Sequence, residues 1–399
     1  MNFKTKGAAL VAFLCAAPVV MHAQFDFKVD GLKFQVHSFA SQGFAYSNDN
    51  NYLTMNTSKG SFAMTDGGVN ISTQLTDKFR VGAQVYDRNI GQLGNWHPSL
   101  DFAFADYRLK DWFGIRAGKV KTVLGLFNDT QDMEFLHTFA ILPQSMYPLD
   151  LRASTIAHTG GDVYGTIGIK KHGEISYTGY AGLESFDKYG GYVCGLAALG
   201  LNLTSMPARQ FGGDLRWNDL VKGLQLGASG MHSPATGNAS MQVAPGMTFP
   251  YTIWEHSNTV TFYTEYKIGN LALDGEYRRD TSSGLTKVGP LPAAGFGTDA
   301  RGWYVSAAYR VAKRLELGAY ESRFCPVPGQ SSTPPTNHIY DTVAAAKIEL
   351  TAHWDLKIEG HFMDGYGLPY SFRGFYPQEN PAGLKPKTNM LVIRTGWNF

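Results

Sequence analysis

Two sets of charged residues sit where they could act together. Arg80, Arg88, Arg116, Lys119 and Lys121 form a basic set, and Asp129, Asp132 and Glu134 follow as an acidic one. Opposed charges across a water-filled gap set up a transverse field, which orients water and sorts solutes by charge and size. The acidic three fall inside the long segment Lys121 to Ser154, which also carries Arg152 and the apolar Phe135, Leu136, Phe139 and Ile141. Those apolar side chains can pack such a segment against a wall. The stretch before it, Phe113 to Lys119, alternates so that Arg116 faces inward.

Other chemistry is thinner. His361 stands two residues from Glu359 on the same face as Asp355, a grouping that fits a polar lining more simply than a site. Gly227-Ala228-Ser229-Gly230 lacks the spacing of a nucleophile elbow. The histidines are scattered, without the two-His helical pair of a zinc site. No catalytic residue, metal or cofactor is expected, although a lipid hydrolase would need only Ser, His and a polar partner on neighbouring strands. Cys194 and Cys325 lie far apart in segments read as loops. An even pair can bridge in an oxidising compartment, but two free, buried thiols are the plainer reading.

The elements that must position these residues are strands. Alternation of period two runs through the chain. Trp354, Leu356, Ile358 and Phe362 share one face, and Asp355, Lys357, Glu359 and His361 the other. Leu271, Leu273, Gly275 and Tyr277 oppose Ala272, Asp274, Glu276 and Arg278. The same alternation puts Arg310 and Arg394 on a polar face with Arg278, Lys357 and Glu359. Each segment is about ten residues, the length of a tilted membrane strand. Short turns such as Gly269-Asn270 alternate with long Pro/Gly/Asn-rich stretches: Ser47 to Gly60, Lys121 to Ser154, Ser185 to Ser205, Ser233 to His256, Thr281 to Asp299, Pro326 to His338 and Asp364 to Lys385. The expected fold is all-β: a transmembrane antiparallel β-barrel of about sixteen strands with short periplasmic turns and long external loops. One loop, Lys121 to Ser154, is expected to fold into the lumen. A β-sandwich rarely needs charge on the inner face of nearly every strand, and a propeller would show a blade-length repeat, which is absent.

Composition agrees. Only 17% of residues are charged, while Gly reaches 45, Tyr 21 and Phe 25 of 399. Lys4 and Lys6, an apolar run to Val20 and Ala23 read as a secretory signal spanning residues 1–23, which leaves 24–399 as the barrel domain. Removing the two lysines lowers the 35 basic residues to 33, equal to the 33 acidic ones. A neutral chain has no basic face for nucleic acid and argues against strong ion selectivity. No uncharged stretch satisfies its backbone as a lipid-exposed helix.

Three stretches and the C-terminus carry a family resemblance. The chain ends Thr395-Gly396-Trp397-Asn398-Phe399, similar to the terminal aromatic strand of bacterial outer-membrane barrels. Leu32 to Gly43 is similar to the opening strand of Gram-negative porins. Arg116 to Asp132 (RAGKVKTVLGLFNDTQD) and Leu142-Pro143-Gln144-Ser145-Met146-Tyr147 resemble the third-loop region of porins related to the phosphate-selective group. That group often has Pro where Val123 stands and Arg where Gln131 stands, so the resemblance carries no particular solute. It implies a homotrimer of sixteen-stranded barrels in a Gram-negative outer membrane, in contact with its lipid and lipopolysaccharide. It also implies passive diffusion of small hydrophilic solutes or ions, with at most a weak anion preference. The competing expectation is a structural or adhesin-like barrel that acts through its external loops.

Overall fold

A strand with one apolar and one polar face must find a different environment for each, and a closed ring of such strands supplies both. The structure, a computed structural model, describes residues 25–367 and 373–399. The segment 1–23 read as a secretory signal lies outside the described residues. The first half contains β1 (Phe25–Val29), β2 (Leu32–Ser47), β3 (Ser61–Thr76), β4 (Phe79–Ile90), β5 (Ser99–Lys110), β6 (Phe113–Lys121), β7 (Ala157–Gly168), β8 (Glu174–Glu184) and β9 (Leu201–Ser205). The second contains β10 (Arg209–Asn218), β11 (Leu224–Ala244), β12 (Met247–Ile268), β13 (Leu271–Val288), β14 (Ala294–Ala312), β15 (Leu315–Cys325), β16 (Ile339–Glu349), β17 (Trp354–Asp364) and β18 (Lys387–Asn398).

Each barrel strand pairs antiparallel with its sequence neighbour, and β18 closes the ring on β2 through Arg394↔Gly43 and Val392↔Ala45. Sixteen strands make the wall; β1 and β9 are side pieces. β9 pairs with the upper part of β11. β1 forms a hairpin with β2 through Asp30 (φ 50°) and Gly31 (φ 83°). Two positive φ values at the centre of a two-residue turn are what the right-handed twist of a hairpin requires. β1 lies along β2 just below the place where Phe399 exchanges backbone hydrogen bonds with Ser38.

The expected faces are present. On β12 the outward Val260 and Phe262 are exposed, while the inward Thr261 and Tyr263 are buried. The same division separates Leu273 and Tyr277 from Glu276 on β13, and Ile358 and Phe362 from Lys357, Glu359 and His361 on β17. Apolar side chains therefore face the lipid side, and polar ones face a lumen that is itself filled.

Two expected loops are instead strand. Ser233 to His256 forms the tops of β11 (21 residues) and β12 (22 residues), joined at Pro245-Gly246. Most of Thr281 to Asp299 belongs likewise to β13 and β14. About 9–11 residues suffice for a tilted strand to cross a bilayer, so much of each rises beyond it. There both faces meet water, apolar alternation lapses, and Ser, Thr and Asn ladders look loop-like. Ser185 to Ser205 also holds more order than expected, with a helix over Gly191–Ala198 followed by β9. Cys194 lies in that helix and Cys325 ends β15; both thiols are free and half-buried rather than fully buried. Part of Asp364 to Lys385, residues 368–372, lies outside the described residues.

Candidate functional site

The segment between β6 and β7, residues 122–156, crosses the lumen. It is irregular except for short helical turns at Glu134–Leu136, Leu149–Leu151 and Arg152–Thr155. Apolar side chains seat it as its composition suggested. Phe139 packs with Tyr320, Val343 and Ala345, and Leu142, Met146 and Tyr147 pack with Tyr304. Ile141 joins the largest core cluster, whereas Leu136 remains 54% exposed.

Wall side chains then satisfy the loop's backbone, which an irregular segment away from bulk water requires. Glu359 accepts from the backbone N–H of Ala140 at 2.5 Å and of Ile141 at 3.2 Å. Arg394 donates to the Ala140 carbonyl at 2.7 Å and holds Asp66 with two further bonds of 2.8 and 2.9 Å. Lys347 donates to the carbonyls of Phe135 at 2.7 Å and His137 at 3.1 Å. Arg278 and Arg88 donate to the carbonyls of Met146 and Leu149 at 3.0 and 2.5 Å. Glu276 is a further anchor, accepting from Tyr147 at 2.5 Å, Tyr304 at 2.8 Å and the Leu126 N–H at 3.1 Å.

The charges of the loop are mostly paired. At its root, Lys121 Nζ lies 2.6 Å from both Asp101 and Asp132. Arg152 bridges the same two carboxylates, reaching Asp101 at 2.5 Å and Asp132 through Nε, with its guanidinium 4.1 Å from the Tyr86 ring centre. Burial works to raise the Asp132 pKa, but Arg152 and Lys121 overcome it and hold the carboxyl well below its usual range. Farther along, Lys357 Nζ meets Glu134 Oε2 at 2.6 Å. Burial again opposes ionisation, and Lys357 with Arg394 keeps the Glu134 carboxyl below its ordinary value.

The expected basic and acidic sets are thus only partly brought together. Lys121 meets Asp132 directly, and Glu134 is met by Lys357 from the lumen-lining set. Arg88 touches the loop's backbone and lies 3.5 Å from Asp187. Arg116 sits between Asp106 (3.6 Å) and Asp162 (4.0 Å), over the rings of Phe104 and Tyr164. Arg80 lies near the short-turn end of β4, close to Ser72 and Phe104. Lys119 follows Gly118 (φ 125°), and its Nζ donates to the Leu100 carbonyl at 2.6 Å. Asp129 stands apart from these pairs, its carboxyl pKa raised by burial. Arg310 bonds Glu349 at 2.9 Å and Glu316 at 3.4 Å. Asp101, Asp66 and Lys347 escaped the sequence reading as loop anchors; their inward position in a strand was the only available signal.

Groups that could suggest catalysis are tied up otherwise. Ser229 Oγ donates to Asp214 at 2.6 Å and accepts the Gly125 N–H at 2.9 Å. His361 contacts Asp341 at 2.9 Å and Glu359 at 3.3 Å. A hydroxyl–imidazole–carboxylate chain does occur, through Thr122, His158 and Asp162 at 3.0 and 2.8 Å. Its members are 0%, 0% and 3% exposed, so no substrate can reach the hydroxyl.

A closed antiparallel wall of sixteen strands, crossed by its third long connection, can be set beside solved structures. The chain has the fold of outer-membrane porins. OmpT of Vibrio cholerae, expressed in the outer membrane, superimposes with a TM-score of 0.60 at 11% identity, covering 94% of this chain and 100% of that one. The anion-selective porin from Comamonas acidovorans gives 0.54 at 12% identity over 92% and 99% of the two chains. Salmonella typhi OmpF in complex with Daunomycin gives 0.53 at 11% identity over 94% and 100%. No protein-family model matches the chain, nor does any curated protein sequence. Within this porin-type barrel, the loop 122–156 lies across the lumen against the wall. A cavity of about 290 Å³ lies on its long-loop side, lined in part by Asp150, Glu184, Arg278 and Arg373.

Proposed function

We propose that the chain is a non-enzymatic outer-membrane porin, of the phosphate-selective-like group, that passes small hydrophilic solutes and ions by passive diffusion. The observation that carries this reading is the loop 122–156, drawn across a polar lumen and fixed to the wall by Lys357, Glu359, Arg394 and Glu276. A wall lined by charge and narrowed by a tethered segment is the arrangement that selects solutes by size and field. Of the expected sets, Arg88 and Lys121 make the basic side of the constriction and Asp132 and Glu134 the acidic side, while Arg80, Arg116, Lys119 and Asp129 lie along the path around it. Arg278, Arg310, Lys357, Glu359 and Arg394 line the lumen around it. Because Asp132 and Glu134 are compensated by direct ion pairs, the surplus field is small and the anion preference weak. The protein sits as a homotrimer among the lipid and lipopolysaccharide of a Gram-negative outer membrane; one neighbouring OmpT structure is itself described as a trimer form. Residues 1–23 direct its secretion.

Planar-bilayer recording tests the reading. Folded protein is expected to give conductance steps grouped in threes, with a reversal potential in a salt gradient displaced slightly toward anions. Folded protein that yields no channels overturns it.

The height of β11 to β14 favours a second role, display of the upper hairpins at the cell surface. Trimming Ser233 to His256 to a short turn would then abolish surface attachment while conductance stays unchanged.

A further inference from the structure

The cavity on the long-loop side has charges that do not neutralise one another. Glu184, at the end of β8, accepts from Ser233 Oγ at 3.0 Å, and Glu255, on β12, accepts from Tyr192 at 3.4 Å. Among the described residues no cation lies within ion-pair distance of either glutamate. Both are partly withdrawn from water. Elsewhere in the same cavity Asp280 is, among the described residues, the carboxylate within 4 Å of two guanidinium groups, and Asp150 acts on Arg373 from farther off. Arg278 Nε donates to both oxygens of Asp280 at 2.9 Å, and Arg373 Nη2 lies 3.6 Å from Asp280 Oδ2. Arg373 has a side chain only 7% exposed, and its Nε is without a hydrogen-bond partner among the described residues. Its guanidinium stands 3.8 Å from the centre of the Phe324 ring, which fixes its plane.

Two carboxylates without a base, and an Arg373 guanidinium whose nearest acid stands 3.6 Å away, would pair across the space if free to move. The strands that carry Glu184, Glu255 and Arg278, and the Phe324 contact of Arg373, hold them apart. Partly buried charge without a partner is costly, and a ligand that supplies the missing partner recovers that cost. The complement must offer a cation at one end and a planar anion at the other, since a guanidinium fork matches a carboxylate's two oxygens. The volume of about 290 Å³ is at the lower edge of ligand sites, which run from about 300 to 1,000 Å³.

We propose that this vestibule binds small zwitterions of the amino-acid and short-peptide class, with the ammonium at Glu184 and Glu255 and the carboxylate at Arg373. The proposal deepens the diffusion reading and rests on it, because the bound solute is the one delivered to the constriction.

The test uses full-length folded protein and glycylglycine as the probe. Added from the long-loop side of a bilayer, glycylglycine is expected to interrupt the current in a saturable way, and glycerol is not. The double substitution Glu184→Gln/Glu255→Gln, and separately Arg373→Gln, should each weaken the block at least tenfold. Acetamide-capped glycine, which keeps the carboxylate and loses the ammonium, should follow the double variant even on unaltered protein. Block no stronger than that by glycerol, or equal block in all variants, overturns the proposal while leaving the channel standing. If no channels form, the diffusion reading fails, and calorimetric titration of the same protein decides the site. Binding heat that Arg373→Gln abolishes sustains it, and no heat overturns it.

Discussion

Lys357 on β17 and Glu134 in the lumen loop are joined at 2.6 Å, with 0% and 5% of their side chains exposed. The same ammonium donates to the Glu134 backbone carbonyl at 2.5 Å, so one wall residue holds both the charge and the chain of the turn at Glu134–Leu136. Their separation of 223 residues makes this a tertiary clamp.

Removing only the base should therefore be severe. Lys357→Met leaves the Glu134 carboxylate buried without its direct ion pair, with only Arg394 and Lys347 acting on it from farther off, and breaking one partner of a buried pair costs about 3–5 kcal/mol. The folded barrel is expected to lose its compact migration on denaturing gels at a lower temperature, and the channel current to become noisier. Adding Glu134→Gln should restore much of the loss, because the orphan charge is then gone. An unchanged transition for Lys357→Met would show that the clamp contributes nothing.

Gly302 on β14 supplies a steric test of the same seating. A Cβ there would come 2.6 Å from the backbone oxygen of Ser145, whose own hydroxyl accepts from Ser322 at 2.8 Å. Gly302→Ala must displace the loop from the wall, at about 1–3 kcal/mol for overpacking, and should change conductance. Gly275→Ala is the control, since its nearest neighbours lie 3.7 Å away. Equal behaviour of the two variants would detach the loop's position from this contact.

These clamps also mark where sequence reading stops. The inward side of Lys357, Glu359 and Arg394 is legible because a strand's period of two does not depend on what surrounds the barrel. The identity of the partner is not, because Glu134 reaches Lys357, and Ala140 reaches Glu359 and Arg394, only after the loop has folded across the lumen. For a related reason β11 and β12 outrun their expected lengths: alternation reports a lipid boundary, and above that boundary only backbone pairing continues the strand. Pro245-Gly246, with Gly246 at φ 74°, was the local mark of the true turn.

The root of the loop tests the constriction's electrostatics. Lys121, Arg152, Asp101 and Asp132 form a compensated group of two positive and two negative charges. Asp132→Asn leaves it with an excess positive charge beside the lumen. The reversal potential in a potassium chloride gradient should move toward anions, and stability should fall by about 3–5 kcal/mol as for any broken buried pair. A stable variant with an unmoved reversal potential would place the group outside the ion path.

A pH dependence should arise where the lumen loop meets the last long loop. Asp150 in the turn Leu149–Leu151 is 1% exposed and accepts from Tyr376 at 2.6 Å. Burial pushes its carboxyl up from 3.8 to about 6, against the pull of Tyr376, Arg373 and Arg88. A raised value means that the native contact favours the protonated acid. Its stabilisation is complete below the ordinary carboxyl range and is lost as pH rises through about 6, amounting to about 3 kcal/mol for a shift of that size. Amide exchange of the turn at Leu149–Leu151 should thus be slower at pH 4.5 than at pH 7.5, after correction for intrinsic rates. Asp150→Asn, uncharged at both values, should flatten the difference and keep protection high throughout. A pH response that survives this substitution would have to come from another group.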